Sequence, residues 1–343
     1  MSSARVFVVA LITLLMSPIA CGEETEYPEG LIAFLQSPPS SGGVIPSDRG
    51  QLFVFDSEAG DRLVASHVAI NQLPRTSPQN LQQIPIVQYE DNEFGPATKH
   101  IALADLTGES TSTQLKGEQP VAGETGNVAL CVDNTSVISI GNTSRLSELE
   151  PIPELAADYC PQSIWSSQGD LALFRSTPSG PDGGPISELL IRSQDGQIRK
   201  WPVPDEAFGG TLPNWSPDGE RLVFQARGRV VEFDVASETF QILTPGERPL
   251  YDPTNPDYLA ALVRDDQAGF LAVFERGRLT ARVDLTVDGS SFAWSPDGSW
   301  LAISEPSRLR LWRWRTGEIL LSKTVDNPSV SLLPAIYWVH DPG

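Results

Sequence analysis

Asn214-Trp215-Ser216-Pro217-Asp218-Gly219-Glu220-Arg221-Leu222-Val223-Phe224 returns later in the chain as Ala293-Trp294-Ser295-Pro296-Asp297-Gly298-Ser299-Trp300-Leu301-Ala302-Ile303. A phrase repeated inside one chain implies a repeat architecture, because each copy is one unit that buries its apolar face only against its neighbours. Each copy reads as strand, tight turn, strand. Pro presets φ, Asp bonds the backbone beside it, and Gly accepts positive φ without a Cβ clash. A third strand follows each copy, Arg229–Asp234 or Arg308–Arg313, with polar and apolar residues in alternation. A fourth follows a polar turn, Thr239–Leu243 or Glu318–Ser322. Four antiparallel strands in about 40–45 residues make one propeller blade.

Outward from these copies the phrase erodes. Ile164-Trp165-Ser166-Ser167-Gln168-Gly169-Asp170 keeps Trp, Ser and Gly; Tyr251-Asp252-Pro253-Thr254-Asn255-Pro256-Asp257 keeps little more than the turn chemistry. From Trp165 through Trp215 and Tyr251 to Trp294 the spacings are 50, 36 and 43 residues. Further upstream only strand-like runs remain. Leu31–Leu35, Gln51–Phe55 and Arg62–Ala65 suit the second to fourth strands of a first blade. Ile84–Tyr89, Lys99–Ala104 and Thr111–Leu115 suit a second blade; Asn127–Val132, Ser136–Ile140 and Arg145–Leu149 suit a third. The first blade lacks a first strand, and Ala335–Trp338, ahead of a degenerate turn, supplies one. This predicts an all-β propeller of four-stranded antiparallel blades, closed by the C-terminal strand on the first blade, which removes sheet edges that invite aggregation. The count is seven blades over residues 31–343. Six is the alternative, because the second and third blades have poorly defined inner strands.

The Trp-Ser-Pro-Asp-Gly phrase followed by Leu-Val-Phe or Leu-Ala-Ile resembles the TolB-like repeat, a relative of the WD-repeat propeller. The resemblance implies a propeller and says almost nothing about activity. TolB couples its propeller to an N-terminal α/β domain, for which the residues between Cys21 and Leu31 leave no room. The TolB envelope role is therefore not carried over.

Residues 1–20 read as a signal peptide: Arg5 near the start, an apolar run Val6–Met16 too short to span a bilayer, and small residues before Cys21. Ser17-Pro18-Ile19-Ala20-Cys21 resembles a bacterial lipobox, with Pro18 where Leu is usual. That resemblance implies lipid attachment at Cys21, the alternative being simple cleavage near Ala20. Residues 21–30 form an acidic tether, and residues 31–343 the single propeller domain. Gly22 after the cysteine leans, by the same resemblance, toward the outer membrane rather than the inner.

The charge of −20 arises from 24 Lys+Arg against 44 Asp+Glu. Removal of residues 1–20 takes away only Arg5 and leaves −21. Such a surface disfavours nucleic acid and anionic membranes, so the membrane is expected to be met only through the lipid. Solubility explains the charge; a basic partner or a cation is the sharper reading. Cys131 and Cys160 are a disulfide candidate in an exported chain, the alternative being two buried thiols.

No nucleophile elbow, zinc-helix motif or phosphate loop occurs. His67, His100 and His340 fall in three different blades. Asp218 and Asp297, with Trp215, Pro217, Gly219, Trp294, Pro296 and Gly298, are read as turn construction rather than as acids or metal ligands. Asp252, Asn255, Asp257, Asp265 and Asp266 lack the alternating oxygens and distal Glu of a calcium hand. The long loops 176–185 and 37–49 read as mobile, with a binding rim as the alternative. Trp312 and Trp314, with Arg310, Arg313 and Arg315, are either inter-blade packing or a recognition patch. No catalytic, metal or cofactor site is therefore expected. The expected role is an exported, lipid-anchored propeller that binds unknown envelope protein(s) as a scaffold. The alternative is a propeller enzyme or small-molecule or glycan binder using the central channel. Oligomeric state stays open.

Overall fold

The computed structural model describes residues 31–36, 49–56, 60–69, 83–90, 98–105, 110–113, 115–123, 126–132, 135–157, 160–177, 186–204, 211–264, 269–285, 290–324 and 332–339. The expected signal peptide and tether, Cys21, His340, Asp265, Asp266 and most of the two long loops lie outside them.

The first blade holds β1 (Leu31–Gln36), β2 (Arg49–Asp56) and β3 (Gly60–Ala69), and the second holds β4 (Gln83–Glu90), β5 (Thr98–Asp105) and β6 (Ser110–Ser112). The third comprises β7 (Gly117–Ala122), β8 (Asn127–Val132), β9 (Ile138–Asn142) and β10 (Glu150–Pro151). The fourth comprises β11 (Ser163–Trp165), β12 (Leu171–Thr177), β13 (Ile186–Arg192) and β14 (Ile198–Pro202). The fifth runs β15 (Thr211–Trp215), β16 (Arg221–Ala226), β17 (Arg229–Asp234) and β18 (Thr239–Pro245). In the sixth are β19 (Glu247–Tyr251), β20 (Tyr258–Arg264), β21 (Gly269–Glu275) and β22 (Arg278–Asp284). The seventh contains β23 (Ser291–Trp294), β24 (Leu301–Glu305), β25 (Arg308–Arg313) and β26 (Glu318–Thr324). The last strand, β27 (Leu332–Val339), pairs antiparallel with β1, Leu31 opposite Val339 and Phe34 opposite Ile336. The fold is the expected all-β propeller, and the chain's final strand shuts it on its first.

Blades three to seven are separate four-stranded sheets, whereas β27 and β1–β6 form one seven-stranded sheet. Its two parts meet at a single ladder pair, Val68 opposite Gln88. The second blade therefore has three strands among the described residues. Two expectations need correction. Arg145–Leu149 is not a strand: Thr143–Glu148 is a 3₁₀ helix, started by the Asn142 side chain accepting from Ser144 N. The outer strand of that blade is Glu150–Pro151, and its inner strand, β7, was not recognised.

The inner strands carry a shared signature. β7, β15, β19 and β27 each contain a proline: Pro120, Pro213, Pro249 and Pro334. Each of these strands ends its sheet and pairs on one side only, so a missing N–H leaves no ladder bond unmade. Register shifts interrupt the pairing of β7, β15, β19 and β27. Inner strands touch one another across blade boundaries, which places them around the axis of the ring.

Each core lies between blades, not within one. Along β16, Leu222, Phe224 and Ala226 pack toward the fourth blade, while Val223 packs toward the sixth. Period-two alternation here divides one strand between two apolar layers, so the strand reads as a continuous apolar run. Phe174 meets Phe224 at 4.6 Å and Trp201 meets Phe233 at 4.9 Å across the fourth and fifth blades. The sixth and seventh blades share a layer in which Trp294, Trp312 and Trp314 are all buried. Trp312 and Trp314 are thus packing residues, and no recognition patch forms from them.

A disulfide joins Cys131 on β8 to Cys160 just before β11, with Cα atoms 5.9 Å apart and a sequence separation of 29. It ties the third blade to the start of the fourth, beside the buried residues Val121, Leu155 and Trp165. Replacing both cysteines by serine is expected to lower stability by roughly 2–4 kcal/mol. Urea unfolding with and without reductant checks this: reductant should reproduce the loss in the native chain and leave the double variant unmoved.

Candidate functional site

The repeat turns cap one end of the ring. In three of them a backbone bond closes the hairpin in the same way: Ser166 N to Asp170 O, Ser216 N to Arg221 O and Ser295 N to Trp300 O, all 2.8–2.9 Å. The serine hydroxyl accepts from Arg221 N or Trp300 N at 2.9 Å and donates to Asp218 or Asp297 at 2.5 Å. Asp218 and Asp297 accept in turn from Glu220 N and Ser299 N. Burial acts to raise the Asp297 carboxyl, but its bonds from Ser295 and Ser299 outweigh that and hold it below the usual carboxylate range. Gly219 and Gly298 stand at φ 71° and 67°, where a side chain is strained. Trp215 Nε1 donates to Ile164 O and Trp294 Nε1 to Leu250 O, each the carbonyl next to the last residue of the preceding inner strand.

The turns also hold one another. Ser167 Oγ donates to Pro217 O and Gln168 Nε2 to Asp218 O, joining the fourth blade to the fifth. Arg221 Nη2 donates to Pro256 O, joining the fifth to the sixth. Asp252 packs against Gly298, joining the sixth to the seventh. The Ser, Asp and Gly groups of the repeat phrase make bonds within the turns and between them.

The other end of the inner strands gathers a different set. Arg248 lies in a bulge of β19 at φ 53°, a region that residues with a Cβ rarely occupy. Such strain costs on the order of 1–3 kcal/mol and concentrates at functional positions. Its N–H donates to Gln225 Oε1 of the fifth blade, and its guanidinium Nη1 to Ser290 O of the seventh. One arginine thus spans three blades. Burial pulls its guanidinium below the ordinary value, Glu247 opposing and Arg264 adding to the shift. Next to it, Arg264 and Glu247 pair at 3.6 Å with side chains 58% and 31% exposed.

In the seventh blade, at this same end, the fully buried Glu305 carboxylate accepts from Arg308 Nε and forms an ion pair with Arg310 Nε, both at 2.7 Å. Arg310 Nη2 also donates to Asp284 O. Burial lowers the Arg310 guanidinium, and Glu305 works against that shift. Ser290, Ser291 and Ser304 are buried nearby in sequence and strand pairing. Gln119, in the bulge of β7, shares the positive φ of Arg248, at 52°.

Sequence reasoning did not single out Arg248, Glu305 or Gln119. The available signal was local: Gln119 and Arg248 each precede a proline in an inner strand, and Glu305 ends a wholly buried strand. His100 sits on β5, half-buried. Among the described residues no group of three or more His, Cys, Asp or Glu could hold a metal ion. Among the same residues, no helix is long and apolar enough to cross a membrane.

With this geometry the class of fold is defined: a β-propeller shut by its last strand. No family model and no curated protein matches the chain. Solved structures do. TolB from Acinetobacter baumannii superposes with a TM-score of 0.52 at 19% identity, over 76% of this chain and 64% of that one. The chain thus spans less than two thirds of that TolB. Apo AztD from Citrobacter koseri gives 0.59 at 12% identity, over 91% and 98% of the two chains. The β-propeller domain of the Trilobed protease from Pyrococcus furiosus gives 0.61 at 11% identity, over 88% and 95%. That domain is described as having an open velcro topology, whereas here the two ends of the ring pair. Identities this low establish the fold alone.

Proposed function

We propose that the protein is an exported, lipid-anchored propeller that binds another protein at the cell envelope and carries out no catalysis. Attachment is through Cys21, outer membrane rather than inner. The observation that supports recognition over chemistry is the division of polar groups between the two ends of the ring. The turn end spends its polar groups on the belt between blades. The opposite end presents the half-exposed pair Glu247 and Arg264 beside the strained Arg248. Aromatic and arginine side chains held rigidly by a scaffold suit protein contacts.

Two measurements test this. Intact-mass analysis should find a diacylated N-terminal Cys21; an unmodified terminus elsewhere removes the anchor. Affinity capture from envelope extracts should return a reproducible partner that is lost on the double charge reversal Glu247→Arg/Arg264→Glu. A partner retained equally by that variant places recognition on another surface.

The second reading, a ligand or substrate in the central channel, is favoured by one observation: positive φ at Gln119 and Arg248, both on inner strands. Arg248→Gly relieves the strain while removing the guanidinium. If small-molecule binding exists and is lost in that variant while partner capture persists, the channel reading gains.

A further inference from the structure

In the sixth blade an aspartate takes the position that serine occupies in its neighbours. Asp252 N donates to Tyr258 O at 3.0 Å, the same hairpin-closing bond that Ser166, Ser216 and Ser295 make. The side chain, however, is larger and ionisable. Its Oδ1 accepts from Thr254 N and Thr254 Oγ1, both at 2.8 Å. Its Oδ2 is buried and has no hydrogen-bond partner, and the residue is 0% exposed. The carboxylate is pressed on the turn of the next blade: a Cβ at Gly298 would lie 2.2 Å from Oδ1 and 2.8 Å from Oδ2. Only glycine fits there.

The charged groups around this seam are few. On its own turn, Asp257 is engaged by Arg276 at 2.8 Å and by Arg221 at 4.0 Å. On the seventh blade, Asp297 is bound by Ser295 and Ser299. Arg315 sends Nη1 to Gly298 O and stacks on Trp314, whose Nε1 donates to the same carbonyl. The Arg315 guanidinium acts to lower the Asp252 carboxyl. An ionised carboxylate with one oxygen unmet in an apolar seam is costly, and protonation removes that cost.

We propose that Asp252 makes the seam between the sixth and seventh blades an acid-strengthened clasp, held more firmly when the carboxyl is protonated than when it is ionised. Burial, the largest influence, shifts this carboxyl above the ordinary aspartate value of 3.8, against its Thr254 bonds and Arg315. The sign follows. Where the folded group binds its proton more tightly than the unfolded chain does, stability rises as pH falls through the folded value. The destabilising contribution is fully present above that value and vanishes below the unfolded one. The other aspartates with shifted carboxyls, Asp195, Asp234, Asp257 and Asp297, move the opposite way, so the whole-protein profile does not isolate the effect.

The test therefore compares variants across pH. Asp252→Ser restores the residue used in the other turns and keeps a hydroxyl for the hairpin. Its melting temperature should exceed that of the native chain by roughly 2–4 °C at pH 8, and the gain should shrink as pH falls through the folded value and disappear below the unfolded one. A gain or loss that does not change with pH overturns the proposal. An independent readout covers a variant that folds poorly: carbon-detected NMR titration of the Asp252 carboxyl in the native protein. A midpoint above the free-aspartate value supports the clasp, and one at or below it refutes it.

Discussion

Truncation after Leu333 is expected to abolish cooperative unfolding of the ring, not merely to fray one edge. The last ten residues contain most of β27, and their loss removes the partners of Leu31, Ile32, Ala33 and Phe34. It also removes the strand that packs on β23 and β24 of the seventh blade. Both sides of the closing seam therefore fail together. Blades bury their cores only against neighbours, so an opened ring exposes the outward layer of the seventh blade and the unpaired edge of β1. A domain's whole margin is about 5–15 kcal/mol, and losing one inter-blade core is of that order. Circular dichroism melting checks this: a sharp transition within a few degrees of the full-length chain would show that closure is dispensable.

Glu305→Ala is the point substitution expected to cost most. The native carboxylate is completely shielded and serves two guanidinium groups at 2.7 Å. Arg310 is itself only 8% exposed at its side chain and cannot turn to water. Removing the carboxylate strands a buried cation, which costs about 3–5 kcal/mol, much more than the pair contributes over an apolar replacement. Glu305→Ala/Arg310→Leu should accordingly recover part of the loss. Urea denaturation of the three proteins decides it: a single variant within 1 kcal/mol of native, or a double variant worse than the single, contradicts the account.

The architecture was legible wherever the turn chemistry was. Trp215 to Phe224 and Trp294 to Ile303 announce strand, turn and strand because Pro, Asp and Gly each impose a backbone geometry. The ring closure was legible too, since Ala335–Trp338 repeats the inner-strand pattern that the first blade lacks. The third blade was read less well. Its inner strand, Gly117–Ala122, has one apolar side chain of any size and a positive-φ residue before Pro120, so neither periodicity nor propensity marks it. Thr143–Glu148 misled for the converse reason: Leu146 and Leu149 look like strand residues, while the Asn142 side chain starts a 3₁₀ helix.

The candidate site was hardly legible at all. The conspicuous residues of the repeat proved to be its joinery. Arg248, Glu305 and Asp252 draw their significance from what faces them across a blade boundary: Ser290, two arginines and Gly298 respectively. Those separations run through tens of residues, or through a hairpin, and leave no local pattern. Asp252 comes nearest to being visible, as an acid where its sister turns carry serine.

The pairing of β1 on both sides has a mechanical consequence. The chain enters the ring at Leu31, and β1 is gripped by β2 on one flank and β27 on the other. A pull delivered through whatever precedes Leu31 is shared between two ladders instead of peeling a border strand one bond at a time. The same grip makes the start of the first blade and the point of closure a single joint. Load on β1 and integrity of the ring are then reported by one strand.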